Sequence, residues 1–324
     1  MVMPYSLQKA TEIKKLVDDI GIDATADKLG MKRESVRRVT RMAKSNARET
    51  PAAPIEPTDT IIKKLYERFS HDELSAIANG KSINPSRLSR PVIDFKGDDV
   101  VIGFITDTHI GEETFEDSLW LSFLAECKRE GVQMILHAGD VHEGMSNRPD
   151  QVYHLQDVGA SAQMAHAERL FKMTDLPIKV IDGNHDRWGV KSNGLFMVPD
   201  LCKRVPNMEF IGSDTGDVII NGSKWRLWHG EDGSSYSVSY RLQKIVESFT
   251  GGDKPSILLC GHTHKQCYIF ERNIHVVSGG ALSYQSSWMR STRKPCHTGF
   301  HIIHARIKDG HIVRFAPIWY PFYE

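Results

Sequence analysis

Five times along this chain a short apolar run stops abruptly and gives way to glycine, aspartate, asparagine or histidine. Residues 100–106 lead into Asp107-Thr108-His109, and residues 134–138 into Gly139-Asp140-Val141-His142-Glu143. Residues 178–181 lead, through Asp182, into Gly183-Asn184-His185-Asp186. Residues 225–228 precede His229-Gly230, and residues 257–260 precede Gly261-His262-Thr263-His264. Apolar runs of this length bounded by turn residues read as buried strands. Open α/β sheets gather ligands where their strands end. Five such exits therefore predict one shared polar rim.

The residue types at that rim point to metal. Side chains alternate along an extended segment, so Asp107 and His109 share a face, as do His262 and His264. Imidazole, carboxylate and carboxamide donors together suit manganese, iron, nickel or zinc better than calcium. The five cysteines (Cys127, Cys202, Cys260, Cys267, Cys296) are scattered and form no CxxC pair, which argues against a disulfide framework and a closed structural zinc site. Seven donors with one carboxylate free to bridge fit two ions. Two metals roughly 3.5–4 Å apart activate water and clamp a phosphoryl group.

Elsewhere from about residue 91, strand-like runs (208–211, 217–220, 268–270, 275–278, 299–307, 312–317) alternate with helical patterns (118–129, 151–174, 195–203, 237–249). This mixture predicts an α/β (α+β layered) domain of two packed mixed β-sheets flanked by helices. His137, His275, His301, His304 and His311 fall inside strand patterns and read as pleat residues. At 40% hydrophobic and 25% charged residues the chain is ordinary for a globular protein, which excludes global disorder. No apolar stretch approaches the ~20 residues of a membrane helix. The N-terminus lacks an apolar signal core, so a cytoplasmic protein is expected.

Charge divides the chain. Residues 1–90 carry 17 Lys and Arg against 12 Asp and Glu, while the remainder carries 24 against 29. The basic front begins with a helical stripe over residues 9–20 (Ile13, Leu16, Val17, Ile20). A short helix follows, expected to be capped by Asp23 or Thr25, with Ala26 and Leu29 inward. Gly30 provides a turn, and a third helix over 33–44 sets Val36, Val39 and Met42 opposite Arg33, Arg37, Arg38 and Arg41. Short helix, glycine turn and basic helix resemble a helix-turn-helix, so residues 1–45 form an expected small all-α DNA-binding domain. Residues 46–58 read as a Pro-rich linker, residues 59–90 as a helical connector, and residues 91–324 as the α/β domain.

The ordered set DTH, GD, GNHD, HG, GHTH resembles the calcineurin-like metallophosphoesterase superfamily over about residues 98–317. The resemblance implies the metallophosphoesterase fold and two divalent cations, manganese first among them, with iron, nickel, zinc or magnesium as alternatives. It implies that Asp107, His109 and His264 hold one ion, that Asn184, His229 and His262 hold the other, and that Asp140 bridges. A metal-activated hydroxide would attack, with His185 as general acid and Asp186 orienting its ring. His142 and Glu143 could partner these ligands from behind.

Substrate is not set by fold. Three features lean toward DNA: the helix-turn-helix, the Asp after His185, and the stretch from Gly139 to Pro149, which is similar to the second motif of SbcD-type DNA-repair nucleases. Trp288 and Arg290 interleave an aromatic with a cation, as single-strand binders do. Arg148 and Arg187 flank metal motifs and could clamp phosphate, and His142 is a further candidate contact. A DNA nuclease is therefore expected. A phosphatase, a cyclic- or small-nucleotide phosphodiesterase, and a non-catalytic DNA-binding scaffold are the alternatives.

Overall fold

A computed structural model describes residues 7–46, 58–79, 90–146, 148, 150–231 and 235–323. Nearly all of the expected linker, the first six residues and the Met42 side chain lie outside the described residues, as do Asn147 and Pro149 of the second motif. The chain divides into two compact units, 1–61 and 62–324.

The first unit holds α1 (Leu7–Ile20), α2 (Ile22–Leu29) and α3 (Arg33–Asn46). Ala10, Ile13, Ala26, Val36 and Val39 meet in a small core, brought together by spacings of three and four residues. Gly30 takes the left-handed conformation (φ 61°) that ends α2. The turn closes with the Met31 N–H donating to the Ala26 carbonyl at 2.9 Å. Met31 therefore packs on the core, whereas Leu29, expected inward, ends its helix exposed. The expected caps also differ. Gly21 precedes α2, the Thr25 hydroxyl donates back to the Gly21 carbonyl at 2.7 Å, and Asp23 pairs with Arg33 at 2.7 Å. Arg33, Arg37, Arg38 and Arg41 are all exposed.

In the second unit, α4 (Thr58–Tyr66, which starts just before the division) and α5 (His71–Ala78) lead into β1 (Val92–Ile93) and β2 (Asp99–Ile105). Then come α6 (Asp117–Glu130), β3 (Met134–Ala138), α7 (Ala160–Phe171), β4 (Ile178–Asp182), α8 (Trp188–Asn193) and α9 (Met197–Cys202). β5 (Met208–Ser213), β6 (Thr215–Ile220), β7 (Ser223–Trp228), α10 (Val238–Ser248), β8 (Ile257–Cys260), β9 (Gln266–Glu271) and β10 (Ile274–Gly279) follow. α11 (Ser287–Ser291), β11 (Gly299–Lys308) and β12 (His311–Pro321) complete it. One six-stranded sheet runs β1-β6-β7-β8-β10-β9 and the other β12-β11-β2-β3-β4-β5, both mixed.

The sheets pack face to face. Ile102, Phe104, Leu136 and Ile303 of one meet Val218, Trp225, Leu227 and Leu259 of the other. Helices α6, α7 and α9 cover the outer face of the β2 sheet, and α10 covers that of the β8 sheet. Strands buried on both faces explain the unbroken apolar runs of the sequence. The expected helix over 151–174 is two pieces: a 3-10 turn, Gln151–His154, then α7 beginning after Gly159 at φ 89°. The capping box of Ser70 and Glu73 starts α5. Glu73 also accepts from Arg90 at 2.8 Å and from the buried Lys224 of β7 at 3.1 Å, which fixes α5 to the sheet. No helix among the described residues is long and apolar enough to cross a membrane.

Candidate functional site

All five polar turns follow β2, β3, β4, β7 and β8 and meet at one end of the two sheets. His264 Nε2 stands 3.3 Å from Asp107 Oδ1 and 3.0 Å from His109 Nε2. His229 Nε2 stands 3.1 Å from Asp140 Oδ2 and 3.0 Å from Asn184 Oδ1, which also lies 3.0 Å from His262 Nδ1. Asp140 sits between the groups, with His109 Nε2 3.9 Å away on the other side. Asp107, Asp140 and His229 are buried.

The donor set suits cations. The Nδ1–H of His229 donates to the Ala138 carbonyl at 2.8 Å, and that of His109 to Glu143 at 2.8 Å. In the neutral rings each Nε2 then carries a lone pair, and that of His229 faces two further acceptors. Lone pairs converging at about 3 Å repel unless a positive charge lies among them. A proton on Nε2 is one such charge: burial opposes it on the His229 ring, yet Asp140 outweighs burial and pushes the pKa up to about 9. Burial and the charge of His229 drop His262 to about 4. Asp107, His109 and His264 form one potential metal-holding group, and Asp140, His229 and His262 another.

Five of the eleven described non-glycine residues with positive φ belong to this rim. Asp107, His109, Asp140, His262 and His264 have φ of 50°, 46°, 51°, 78° and 55°. Side chains with a Cβ rarely adopt the left-handed region. Each such residue costs about 1–3 kcal/mol and persists only where its surroundings over-determine it.

His185 is half-buried on the cleft wall, and its backbone N–H donates to Asp140 at 2.9 Å. Its Nδ1 lies 2.9 Å from the Glu143 carbonyl and 3.1 Å from the Glu143 carboxylate, leaving Nε2 for the cleft. Asp186, expected to orient this ring, does not touch it. That carboxylate accepts from the backbone of Val141, His142 and Gly183 at 2.9–3.1 Å and from the His142 ring at 2.9 Å. A turn reverses direction between neighbours, so adjacency in sequence gave the wrong partner. His142 is fully buried in this pairing and reaches no substrate space. Arg187 is likewise occupied, bonding Asp182 at 2.7 Å, Asp214 at 3.2 Å and Glu231. It ties loops together rather than facing the cleft.

Glu143 takes the role expected of Asp186, with Gln151 donating to its second oxygen at 2.6 Å. Its signal was a carboxylate three positions beyond Asp140 on one loop. Arg241 gave no such signal. It is buried in α10 and donates to the carbonyls of His229 at 2.9 Å and Gly261 at 3.3 Å, bracing the turns after β7 and β8 from behind. Above the donors opens a cleft of about 730 Å³, lined by Arg148, Trp188, Lys265, Trp288 and Lys294 among others. Arg290 is exposed on α11, outside that lining.

The sequence profile of the calcineurin-like phosphoesterase superfamily domain matches residues 100–292. The DNA polymerase II small subunit of Methanothermobacter thermautotrophicus is 23% identical over 246 residues, 62% of this chain and 51% of that protein. The protein of the same name from Archaeoglobus fulgidus is 24% identical over 268 residues, 67% of this chain and 54% of that protein. The chain thus spans about half the length of these curated relatives. A solved archaeal phosphodiesterase covers 68% of this chain and 100% of its own at 16% identity, with a TM-score of 0.42. With the family profile spanning more than half of its residues, the chain belongs to the calcineurin-like phosphoesterase superfamily.

Proposed function

We propose that the protein is a dinuclear, divalent-metal-dependent phosphodiesterase acting on DNA. The observation that carries this reading is the strained rim. Five side chains accept left-handed backbone to aim donors at one point, and a fold stores strain where function needs it. In this reading Asp107, His109 and His264 would hold one cation and Asn184, His229 and His262 the second, with Asp140 available to both. When bound, the pair supplies water activation and a clamp on the phosphoryl oxygens, with manganese the first ion to try.

The chain's own residues do the rest. Glu143 holds the His185 ring through Nδ1, so Nε2 presents its proton to the leaving oxygen, and His185 acts as general acid. Arg241 and the loop glycines keep the ligand turns in register. Two relatives named as DNA polymerase small subunits, the exposed arginines of α3 and the likeness of the second motif to SbcD-type nucleases support DNA as the polymer.

The test compares bis-p-nitrophenyl phosphate, p-nitrophenyl phosphate, linear, circular and single-stranded DNA, RNA and cyclic nucleotides in manganese, with a chelated control. Diester and DNA turnover that chelation abolishes is the expected result. Brisk monoester turnover with intact DNA would replace the reading by a phosphatase.

A further inference from the structure

We infer that Trp288, with Arg148 and Lys294 over its ring, is a stacking platform for an unpaired nucleobase beside the scissile phosphate. Single-stranded nucleic acid is then the form of substrate this cleft takes. The placement beside a scissile phosphate rests on the phosphodiesterase reading above. The binding itself stands on other observations.

Trp288 is 45% exposed on the wall of the cleft whose floor is the donor cluster. A large apolar ring held at a polar rim loses hydrophobic free energy unless something covers it. Its backbone is held there. The Ser286 hydroxyl caps α11 by accepting from the Met289 N–H at 3.3 Å, Met289 is buried beneath, and the Thr292 hydroxyl donates to the Trp288 carbonyl at 2.7 Å. Lys294 Nζ lies 4.2 Å from the ring centroid and the Arg148 guanidinium 5.0 Å from it. Arg148 also lies 5.9 Å from the ring of Trp188, and that ring packs on His185 with centroids 3.9 Å apart.

The series therefore alternates outward from the expected general acid: aromatic, cation, aromatic, cation. A single strand offers the complementary alternation of base and phosphate. Bases stack on aromatic faces, and lysine and arginine meet the backbone charge. A continuous duplex cannot use the platform in the same way, because its paired bases already cover one another's faces. Stacking is sequence-tolerant, since every base has a π-face. Trp288 thus favours unpaired strands without selecting a sequence.

The test uses the full chain and fluorescence anisotropy in chelating buffer. A labelled thymidine oligonucleotide is compared with an abasic strand of equal length and charge, and with a blunt duplex. The base-bearing strand should bind more tightly than the abasic one by roughly tenfold or more, the size of one base–aromatic stack. Trp288→Ala should erase that difference, and Trp288→Phe should keep most of it. Because the side chain is already half in solvent, its truncation leaves the core intact. In manganese, the same Ala variant should raise KM for the oligonucleotide several-fold more than KM for bis-p-nitrophenyl phosphate. Equal affinity for the base-bearing and abasic strands, a difference that survives Trp288→Ala, or a preference for the duplex each overturns the platform. If the binding pattern holds while the wild type cleaves neither diester, the platform stands and the hydrolytic reading falls. If both diesters turn over and the binding pattern is absent, only the platform falls.

Discussion

At the scale of single residues, the site is set less by which groups are present than by which way each one faces. Glu143 and Asp186 show this. Both lie on turns that follow a strand, both are buried carboxylates, and adjacency in sequence favours Asp186 as the partner of His185. Only Glu143 reaches it, at 3.1 Å, while also holding His109 at 2.8 Å. The two predict different defects. Glu143→Gln should lower kcat and weaken metal affinity together, by about 10- to 100-fold, as loss of a partner behind a ligand does. Asp186→Asn should instead lower the melting temperature, because an amide presents two N–H groups where four donors now converge on the carboxylate. Its activity per folded molecule should change far less. His185→Ala should cut kcat by about 10²–10⁴ with metal content retained, whereas Asp140→Ala should lose metal. Elemental analysis and steady-state kinetics, with a thermal melt for Asp186→Asn, check all four, and a His185→Ala enzyme at full rate would remove that residue from the mechanism. The turns that carry the seven expected donors were legible because each follows an apolar run. The directions of His142, Asp186 and Arg187 were not, because tight turns scramble direction between neighbours.

At the scale of elements, strands and their exits were the readable part. β2, β3 and β8 are almost wholly apolar, so the polar residues that follow them stand out, whereas β7 carries Lys224 and Arg226 in ion pairs of its own. The short helices were opaque. α8 and α11 span six and five residues, too few to show a period, and the segment after Gln151 hides a break at Gly159 within a helical pattern. How closely the exits pack can be tested at a glycine. A Cβ at Gly183 would overlap Asp140 Oδ1 and stand 2.5 Å from the Asp140 backbone nitrogen. Gly183→Ala should therefore displace the Asp140 carboxylate, cost about 1–3 kcal/mol as overpacking does, and, on the proposed reading, reduce bound metal. Calorimetry with and without manganese reads both effects. The contact of α5 with β7 gives a pH test. Burial of Glu73 works against its charge, but the hydrogen bond from Arg90 and the charge of Lys224 outweigh it. The pKa is thus held below the ordinary value of 4.5. Such a group contributes stability that is complete above pH 4.5 and lost as pH falls through the lowered value. Glu73→Gln should be less stable than wild type by about 3 kcal/mol at neutral pH, since it breaks a buried pair. The gap should narrow as pH drops below 4.5, and a gap independent of pH would show that the pairing contributes nothing through charge.

For the whole molecule, the opposed charges of its two parts are the organising fact. Asp and Glu outnumber Lys and Arg by 29 to 24 after residue 90, whereas the first 90 residues are basic by 17 to 12. An acidic domain repels a polyanion at long range, so on the proposed reading a basic module on the same chain would raise the local concentration of DNA at the cleft. Composition made this asymmetry visible without any structure, and the first unit places Arg37, Arg38 and Arg41 of α3 in solvent. Each phosphate neutralised by such a cation releases counterions, giving a slope of about −0.9 in log affinity against log salt for duplex DNA. Replacing all three arginines by serine in the full chain should flatten the measured slope by up to about 2.7, or about 0.9 for each phosphate that no longer meets a cation. Affinity should fall most at low salt, while turnover of bis-p-nitrophenyl phosphate, which has no polymer to capture, should keep its wild-type kcat. A triple variant that binds duplex DNA with the parental slope would assign the first unit some role other than holding DNA. It would also leave the cleft cations as the chain's means of attracting a nucleic acid.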